Sequence, residues 1–388
     1  MYVRLGEICD FQSGGTPSKN NQKFFDGDIP WITTVALKGL GIDGSDAVNW
    51  ITEEAIKQSA AKIVPANSIM IGTRVGVGKV AINLVDMSTS QDIVSLIGID
   101  ETRWCKEYLC KCLIGKSQYL NSQARGATIK GIKIDTLANL KIPEISIEKQ
   151  YEVSRIIDKT RIIIEQRKQE LMNLNELMKA RFVELFGDPD NNEKKWDIDK
   201  MEHLCEVGSS KRIYQNEQSM KGVPFLRISD LVNRIDTGSK DCDLYIPIER
   251  FTELKEQGLV PRSGDILLTA RGTLGRCYIV QSDDEFYFQD GMITWLSNYD
   301  KRITALYISY LFEMPGFRKQ IDALQAGSTV AYMSIAMTKK LDVMVPPIEL
   351  QNQFSDFVRA TDKSKVAVQK ALDETQLLFD SLMQEYFG

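Results

Sequence analysis

The sequence is poor in the residues that many enzymes and metal proteins use for chemistry. Its 388 residues contain one histidine, His203, which leaves no basis for a His-based metal site or a Ser-His-Asp triad. The seven cysteines are scattered, and an odd number without a CxxC pair predicts reduced thiols. No apolar run reaches the length of a membrane span, and the first residues lack the apolar segment of a signal peptide. We therefore expect a cytoplasmic protein with no membrane association and no metal.

Nucleotide-binding and methyl-transfer motifs are also missing. The segment 72–79 resembles a phosphate-binding loop, but Thr73 stands where that loop needs glycine and Val80 where it needs a hydroxyl. No GxGxxG opens a strand–turn–helix unit, and the Asn-Pro-Pro-Tyr or Asp-Pro-Pro-Tyr loop of amino-methyltransferases does not occur. The sequence thus gives no sign of an enzyme or of a cofactor of its own, and the glycines of segment 72–79 are more typical of a tight turn between two strands.

What the sequence does contain is an internal repeat. The segment 64–79 returns as 260–276, about half a chain later, with an arginine and glycines at matching places. Further segments pair at nearly the same offset: 27–37 with 222–231, 91–92 with 289–290, 125–128 with 326–329, 142–150 with 345–353, and 185–187 with 386–388. Two similar modules on one chain suit a ligand with two separated but related parts, and DNA is the commonest such ligand.

Each copy of the repeat has two parts. The first has short apolar runs punctuated by Gly, Pro and Asn, which predict strands and turns, with helices near 101–121 and 303–324. The second predicts one long helix without Pro or Gly. The fold class is therefore α+β, with two globular modules and two long helices in a pseudo-two-fold arrangement. We predict module 1 at 1–145, helix 1 at 146–187, linker and module 2 at 188–347, and helix 2 at 348–388.

The two long helices carry a narrow apolar seam. Apolar residues fall every seven positions in the first helix and with 3-4 spacing in the second, a pattern typical of coiled coils. The predicted seam comprises Ile157, Ile164, Leu171, Met178, Leu185, Phe357, Val368, Leu378 and Leu382. An antiparallel pairing of these helices would put the modules at opposite ends of a rod, whose length would set the distance between them. The alternative is an ordinary amphipathic helix that packs on its own module.

The charge of the chain is unevenly distributed. The net charge is −5, with 24 Lys/Arg against 22 Asp/Glu in residues 1–187 and 24 against 31 in the remainder. Between Lys116 and Lys133 there are four bases and no acid, which is either a solvated face or part of an anion-binding surface. If the protein binds DNA, an acidic total predicts weak binding alone and stronger binding beside a basic partner.

Several polar residues at repeated positions are candidates for DNA contact. Arg74 and Arg271 follow the second predicted strand of each copy, where an arginine can hydrogen-bond a guanine edge or clamp a phosphate. The alternative for each is an ion pair or a carbonyl cap that fixes the loop. Glutamines at paired positions could read adenine or, because each is followed by an aspartate, serve in a turn, and small hydroxyl residues suit a close approach to phosphate. The remaining candidates are Ser13, Thr16, Thr33, Lys79, Gln91, Arg125, Lys130, Ser210, Lys211, Arg212, Arg227, Arg276, Gln289 and Ser328.

These motifs, in this order and doubled, resemble the specificity subunits of Type I restriction–modification systems. The resemblance rests on Gly14-Gly-Thr-Pro-Ser18, the Gly-x-Ile-Pro-Trp-Ile block at 27–32, the glycine turn, and the Ile-Pro…Glu-Lys-Gln entry to a long helix ending in Leu-Phe-Gly. It covers essentially the whole chain. The second copy departs from it, because Gly208-Ser-Ser-Lys-Arg212 replaces the Gly-Gly-Thr-Pro motif.

The resemblance implies two target-recognition domains that each read one half of a split double-stranded DNA sequence. It implies that antiparallel helices set the distance between the halves and recruit two methyltransferase subunits, which carry the methyl donor, and that restriction subunits join them. ATP and magnesium are then expected on partner subunits, not on this chain. Self-association of the isolated chain through its seam is left open. The competing interpretation is a coiled-coil protein-interaction scaffold that does not read DNA.

Overall fold

The computed structural model describes residues 1–39, 41–126, 130–324 and 331–388. The contacts divide the chain into two compact units. Unit 1 contains Met1–Lys168 and Gln369–Gly388, and unit 2 contains Gln169–Val368. Each unit therefore combines one globular part with one portion of each long helix.

The globular part of unit 1 mixes short strands and short helices. Its strands are β1 (Tyr2–Arg4), β2 (Asp10–Ser13), β3 (Ile29–Ile32), β4 (Asn49–Ile51), β5 (Ile63–Val64), β6 (Ile69–Gly72), β7 (Val80–Ile82), β8 (Met87–Thr89), β9 (Ile93–Ile97) and β10 (Lys141–Pro143). Its helices are α1 (Glu53–Gln58), α2 (Lys106–Gly115), α3 (Ser117–Gln123) and α4 (Ile134–Ala138), and the long helix α5 (Ile147–Phe186) follows. The sheets have the strand orders β2-β9-β6-β7, β4-β3-β8-β5 and β1-β10.

Unit 2 repeats this arrangement. Its strands are β11 (Asp197–Lys200), β12 (Glu206–Gly208), β13 (Val223–Leu226), β14 (Tyr245–Ile246), β15 (Ile266–Thr269), β16 (Cys277–Ile279), β17 (Tyr287–Phe288), β18 (Ile293–Ser297) and β19 (Asp342–Val345). Its helices are α6 (Met201–Leu204), α7 (Ile228–Thr237), α8 (Ile248–Glu256), α9 (Ala305–Leu311), α10 (Pro315–Leu324) and α11 (Ile335–Lys339), followed by α12 (Ile348–Phe387). The sheets β12-β18-β15-β16, β14-β13-β17 and β11-β19 correspond to those of unit 1.

The apolar runs noted in the sequence are the central strands of these sheets. All four residues of β6 and all four of β15 are buried, and each strand pairs antiparallel with the strand that follows it. The glycine-rich segment between them is the predicted tight turn. Gly76 and Gly275 adopt φ values of +73° and +68°, which a residue with a Cβ rarely tolerates. The α+β class and the doubled module are therefore confirmed.

The predicted helices at 101–121 and 303–324 are each divided in two. The first is interrupted at Lys116, between α2 and α3, and the second between α9 and α10. Pro315 accounts for the second interruption, because proline fits the first position of a helix but not its interior.

The long helices α5 and α12 each run for 40 residues without a break. In unit 1, Ile157 near the start of α5 lies in the same core as Phe387 at the end of α12. In unit 2, Phe182 near the end of α5 lies in the same core as Phe354 near the start of α12. Within each unit, then, the start of one helix packs beside the end of the other, as in antiparallel pairing.

Most predicted seam residues are at least half-buried. Ile157, Ile164 and Met178 are buried, whereas Leu171, Leu185, Phe357, Val368 and Leu382 are half-buried. The structure differs from the prediction at Leu378, which is 53% exposed. Its neighbour Phe379 packs on the unit 1 core instead, because one residue along a helix turns a side chain by about 100°.

Each long helix ends on an aromatic contact in a globular part. The ring centroids of Phe387 and Tyr108 are 5.5 Å apart in unit 1, and those of Phe186 and Tyr307 are 4.9 Å apart in unit 2. Both tyrosine hydroxyls donate to a main-chain carbonyl at 3.0 Å, so the buried phenols are satisfied. The repeated Phe-Gly ending of the sequence is thus a packing element.

The segments that lead into α5 and α12 are structurally equivalent, but in a different register from the one that sequence similarity suggests. Lys141 pairs with Arg4 and Asp342 with Lys200, at equivalent places in the two-stranded sheets. This ladder aligns residue 150 with residue 351, not with residue 353 as the paired segments predict. Copy two has glutamine at both 351 and 353, and therefore local similarity alone misplaces the match by two residues.

All seven cysteines are free thiols, as predicted. Within the described part of the chain, no helix is both long and apolar enough to cross a membrane. Among the same residues, no group of three or more His, Cys, Asp or Glu side chains is placed to hold a metal ion.

Candidate nucleic-acid interface

In unit 1 the turn after β6 presents Arg74 beside a second loop. The Ile132 N–H donates to the Thr73 carbonyl at 2.8 Å, and Arg125 and Gly131 exchange two main-chain hydrogen bonds of 3.0 Å. A Cβ at Gly131 would lie 3.0 Å from the Arg74 side chain, so glycine permits this close approach. Arg125 and residues 131–133 are thereby held against the repeated glycine turn.

A cleft of about 610 Å³ opens between these two loops. Three exposed cations line it, Arg74, Arg125 and Lys133, and none of its described lining residues is acidic. Gln123, Gly131, Ile132 and Thr136 complete the lining. Cations without a neighbouring carboxylate repel one another, and an anion entering the cleft relieves that repulsion. The cleft suits a phosphate or the acceptor edge of a guanine.

Among residues 1–39, 41–126, 130–324 and 331–388, Arg74 has neither an ion-pair partner nor a side-chain hydrogen bond to a carbonyl, whereas the alternative of a fixed loop requires one or the other. Lys79 and Lys130, which the sequence also predicts at this interface, are exposed but do not line the cleft. Sequence reasoning did not select Gln123, Lys133 or Thr136. The run of bases without acids was the signal that could have indicated Lys133.

Unit 2 repeats the backbone of this site with different side chains. The Met333 N–H donates to the Ala270 carbonyl at 2.9 Å, as Ile132 does to Thr73 in unit 1. Arg271 is exposed, and its guanidinium lies 5.2 Å from the centre of the Tyr332 ring. A ring under a guanidinium restricts its orientation while leaving its outer N–H groups accessible. Ser328, another predicted contact, lies outside the described residues.

Three other predicted arginines of unit 2 have carboxylate partners. Arg212 donates to Asp290 at 2.9 Å, Arg227 to Asp230 at 3.0 Å, and Arg276 to Asp236 at 3.1 Å. Hydrogen bonding to Asp236 raises the pKa of Arg276, and the same contact lowers the pKa of the Asp236 carboxyl. Hydrogen bonding to Asp230 likewise raises the pKa of Arg227. Each of these three arginines is therefore ion-paired, which leaves less uncompensated charge here than in the unit 1 cleft.

A second group of predicted residues meets where the start of each module approaches the turn between β8 and β9 or between β17 and β18. In unit 1 the Thr16 hydroxyl donates to the Gln91 side-chain oxygen, joining two predicted residues that are 75 positions apart. In unit 2, Arg212 meets Asp290 at the corresponding place. Of the other predicted residues here, Ser13 and Lys211 are exposed, and Thr33 and Gln289 are half-buried.

Ser210 does not fit a DNA-contacting role. Its side chain is buried and its hydroxyl donates to the Phe288 carbonyl at 2.7 Å. A hydroxyl already committed to a buried carbonyl cannot reach a phosphate without breaking that bond. The prediction for Ser210 is therefore corrected to a structural role. Trp31 and Phe225, which stand at paired positions of the repeat, are both buried in the cores of their units.

Comparison with known proteins identifies the family. The profile of the Type I restriction modification DNA specificity domain matches residues 1–173 and again 193–375. The chain belongs to this family. As a member it is a DNA specificity subunit of the Type I restriction–modification kind, and the two matches coincide with the two copies of the repeat.

One individual relative matches nearly the whole chain, and another matches part of it. The MjaIX specificity subunit of Methanocaldococcus jannaschii is 24% identical over 98% of this chain and 90% of its own length. The EcoR124I/EcoR124II specificity subunit of Escherichia coli is 33% identical over 41% of this chain and 40% of its own length.

Solved structures share the fold of this specificity subunit. The S subunit of a Type I restriction–modification system from M. genitalium has a TM-score of 0.58 at 15% identity and covers 100% of this chain and 96% of its own. A chain from a study of complex assembly and conformational transition of the Type I system has a TM-score of 0.64, also at 15% identity, with 100% and 97% coverage. At this identity the likeness concerns the fold alone.

Proposed function

We propose that this specificity subunit reads a bipartite double-stranded DNA target, with one half read by each module. In this proposal the helices α5 and α12 set the spacer between the halves and dock two methyltransferase subunits, and restriction subunits join the complex. The chain itself is non-catalytic, and the methyl donor, ATP and magnesium bind to the partner subunits.

The observation that carries this proposal is the duplicated turn. Both units present an exposed arginine at the same place after a buried central strand, held by an equivalent main-chain hydrogen bond from a second loop. Loops fixed on a rigid sheet are suited to reading base edges, because a base contact requires accurate placement of the donors. Two equivalent arginine-bearing turns on one chain are suited to contacting two separate DNA segments.

The test is the sequence preference of the assembled complex, measured on DNA in which each half of the target is varied separately. Arg74→Ala should weaken the reading of one half and Arg271→Ala the reading of the other, each by about 1–3 kcal/mol for a lost base contact. Lys57→Ala, at an exposed lysine paired with Glu53, is the matched control in unit 1.

Two outcomes would contradict the proposal. If either arginine variant lowered thermal stability without changing sequence preference, the arginine would have only a structural role. If the complex with its methyltransferase partner showed no sequence-specific binding under any condition, the protein-interaction scaffold would be favoured instead.

A further inference from the structure

Two buried glutamines occupy equivalent places at the starts of the long helices. Gln150 lies in the first turn of α5 and Gln351 in the first turn of α12, and both have 0% exposure. Burying an amide that lacks partners is costly, so a fully buried glutamine is normally one that bonds to several groups.

Gln150 joins its helix to two other segments of unit 1. Its side-chain oxygen accepts from the Cys105 N–H at 2.8 Å. Its amide nitrogen donates to the Arg103 carbonyl at 2.9 Å and to the Ile145 carbonyl at 3.0 Å. Residues 103 and 105 directly precede α2, and residue 145 connects β10 to α5. One side chain therefore ties the long helix to the globular part on which the candidate interface is built.

Gln351 makes the same three bonds in unit 2. Its oxygen accepts from the Thr304 N–H at 2.9 Å, and its amide nitrogen donates to the Arg302 and Pro346 carbonyls, each at 2.9 Å. Residues 302 and 304 directly precede α9, the counterpart of α2. The cores of the two modules differ in sequence, and yet this contact is retained with the same donors and acceptors.

The chemistry of the contact is directional, unlike the apolar packing around it. An apolar seam tolerates small rotations, because dispersion contacts vary gradually with orientation. Three hydrogen bonds from one planar amide require both correct distances and correct angles. The contact therefore resists rotation of the globular part about the first turn of its helix.

We propose that Gln150 and Gln351 are positioning residues that fix the angle between each recognition module and its own helix, and so restrict the spacer length that the subunit accepts. This inference rests on the proposed function. For a module of this size, a rotation of roughly 10° moves a surface about 20 Å from the hinge by about 3.5 Å. That displacement is close to the rise of about 3.4 Å per base pair. A small change of this angle thus displaces the module surface by a distance similar to the rise of one base pair.

The test uses the assembled complex and DNA targets with the native spacer or with one base pair more or fewer. Gln150→Met and Gln351→Met keep the length of the side chain but remove all three hydrogen bonds. Gln166→Met and Gln353→Met, at exposed positions on the same helices, are the matched controls. We expect each variant of a buried glutamine to lower the preference for the native spacer by roughly tenfold, which corresponds to about 1.4 kcal/mol.

A second variant covers the case in which the methionine proteins fail to fold. Cys105→Pro removes the N–H that donates to the Gln150 side-chain oxygen, together with the buried Cys105 thiol that donates to Glu107, and the Cys105 φ of −79° suits proline. This variant should lower spacer preference in the same direction as Gln150→Met, by a smaller factor. Preference for the bases within each half should not change in either variant.

The outcomes separate this inference from the proposed function. If the variants weaken binding equally at all spacer lengths, or leave the spacer preference of the wild type intact, the glutamines are only structural and the inference is wrong. If the wild-type complex itself shows no bipartite preference, the proposed function fails before the variants are compared.

Discussion

The unit 1 cleft makes a quantitative prediction about salt dependence. A phosphate-neutralising cation contributes about 0.9 to the slope of log affinity against log salt on duplex DNA. Arg74, Arg125 and Lys133 line the cleft without an acidic neighbour among its described lining residues. Changing all three to Gln should therefore reduce the slope by about 2.7, and each single change by about 0.9, if all three contact phosphate. Between 50 and 200 mM salt, the DNA affinity of the triple variant should therefore fall by a factor roughly 40 times smaller than that of the wild type.

The assay is fluorescence anisotropy of the complex with labelled duplex, titrated at several salt concentrations in that range. Lys57→Gln, which does not line the cleft, is the control and should leave the slope unchanged. If the single cleft variants matched this control, the cleft would not be a phosphate-binding surface. If one arginine variant changed base preference but not the slope, that arginine would read a base edge instead.

Two further predictions concern packing and charge. Phe387→Ala should destabilise unit 1 by about 3–5 kcal/mol, because a fully buried ring is removed. The control Leu377→Ala, at a 70% exposed site, should change the free energy of unfolding by less than about 0.5 kcal/mol. Denaturant unfolding measures both, and similar values for the two variants would refute the packing role of Phe387. Asp236→Asn removes the carboxylate that pairs with Arg276, so the slope of log affinity against log salt should steepen by up to about 0.9. An unchanged slope would place Arg276 away from DNA.

Features that depend on local pattern could be predicted from the sequence. The apolar runs of β6 and β15, the glycine turn between strands and the 40-residue helices all follow from patterns within a few residues of one another. The pairing of helix starts with helix ends within each unit also agrees with the predicted antiparallel seam. Leu378 and Phe379 show the limit of that reasoning, because both fit an apolar stripe and only the surrounding core decides which one is buried.

The candidate interface depended on contacts between distant residues, which the sequence alone does not reveal. Arg276 and its partner Asp236 are 40 positions apart, and Arg212 and Asp290 are 78 apart. Nothing in either local segment distinguishes a paired arginine from Arg74, which has no ion-pair partner in the part of the chain that the structure describes. The equivalence of the two buried glutamines was hidden for a similar reason, because it follows from the strand ladder and not from local similarity.

In the proposed function, each module reads its own half of the target. The most direct measurement is to replace residues 1–145 with the corresponding module of another family member and to map the methylated bases in a host that carries the complete system. One half of the target should change while the other half stays the same. A change in both halves at once, or a change in neither, would contradict it.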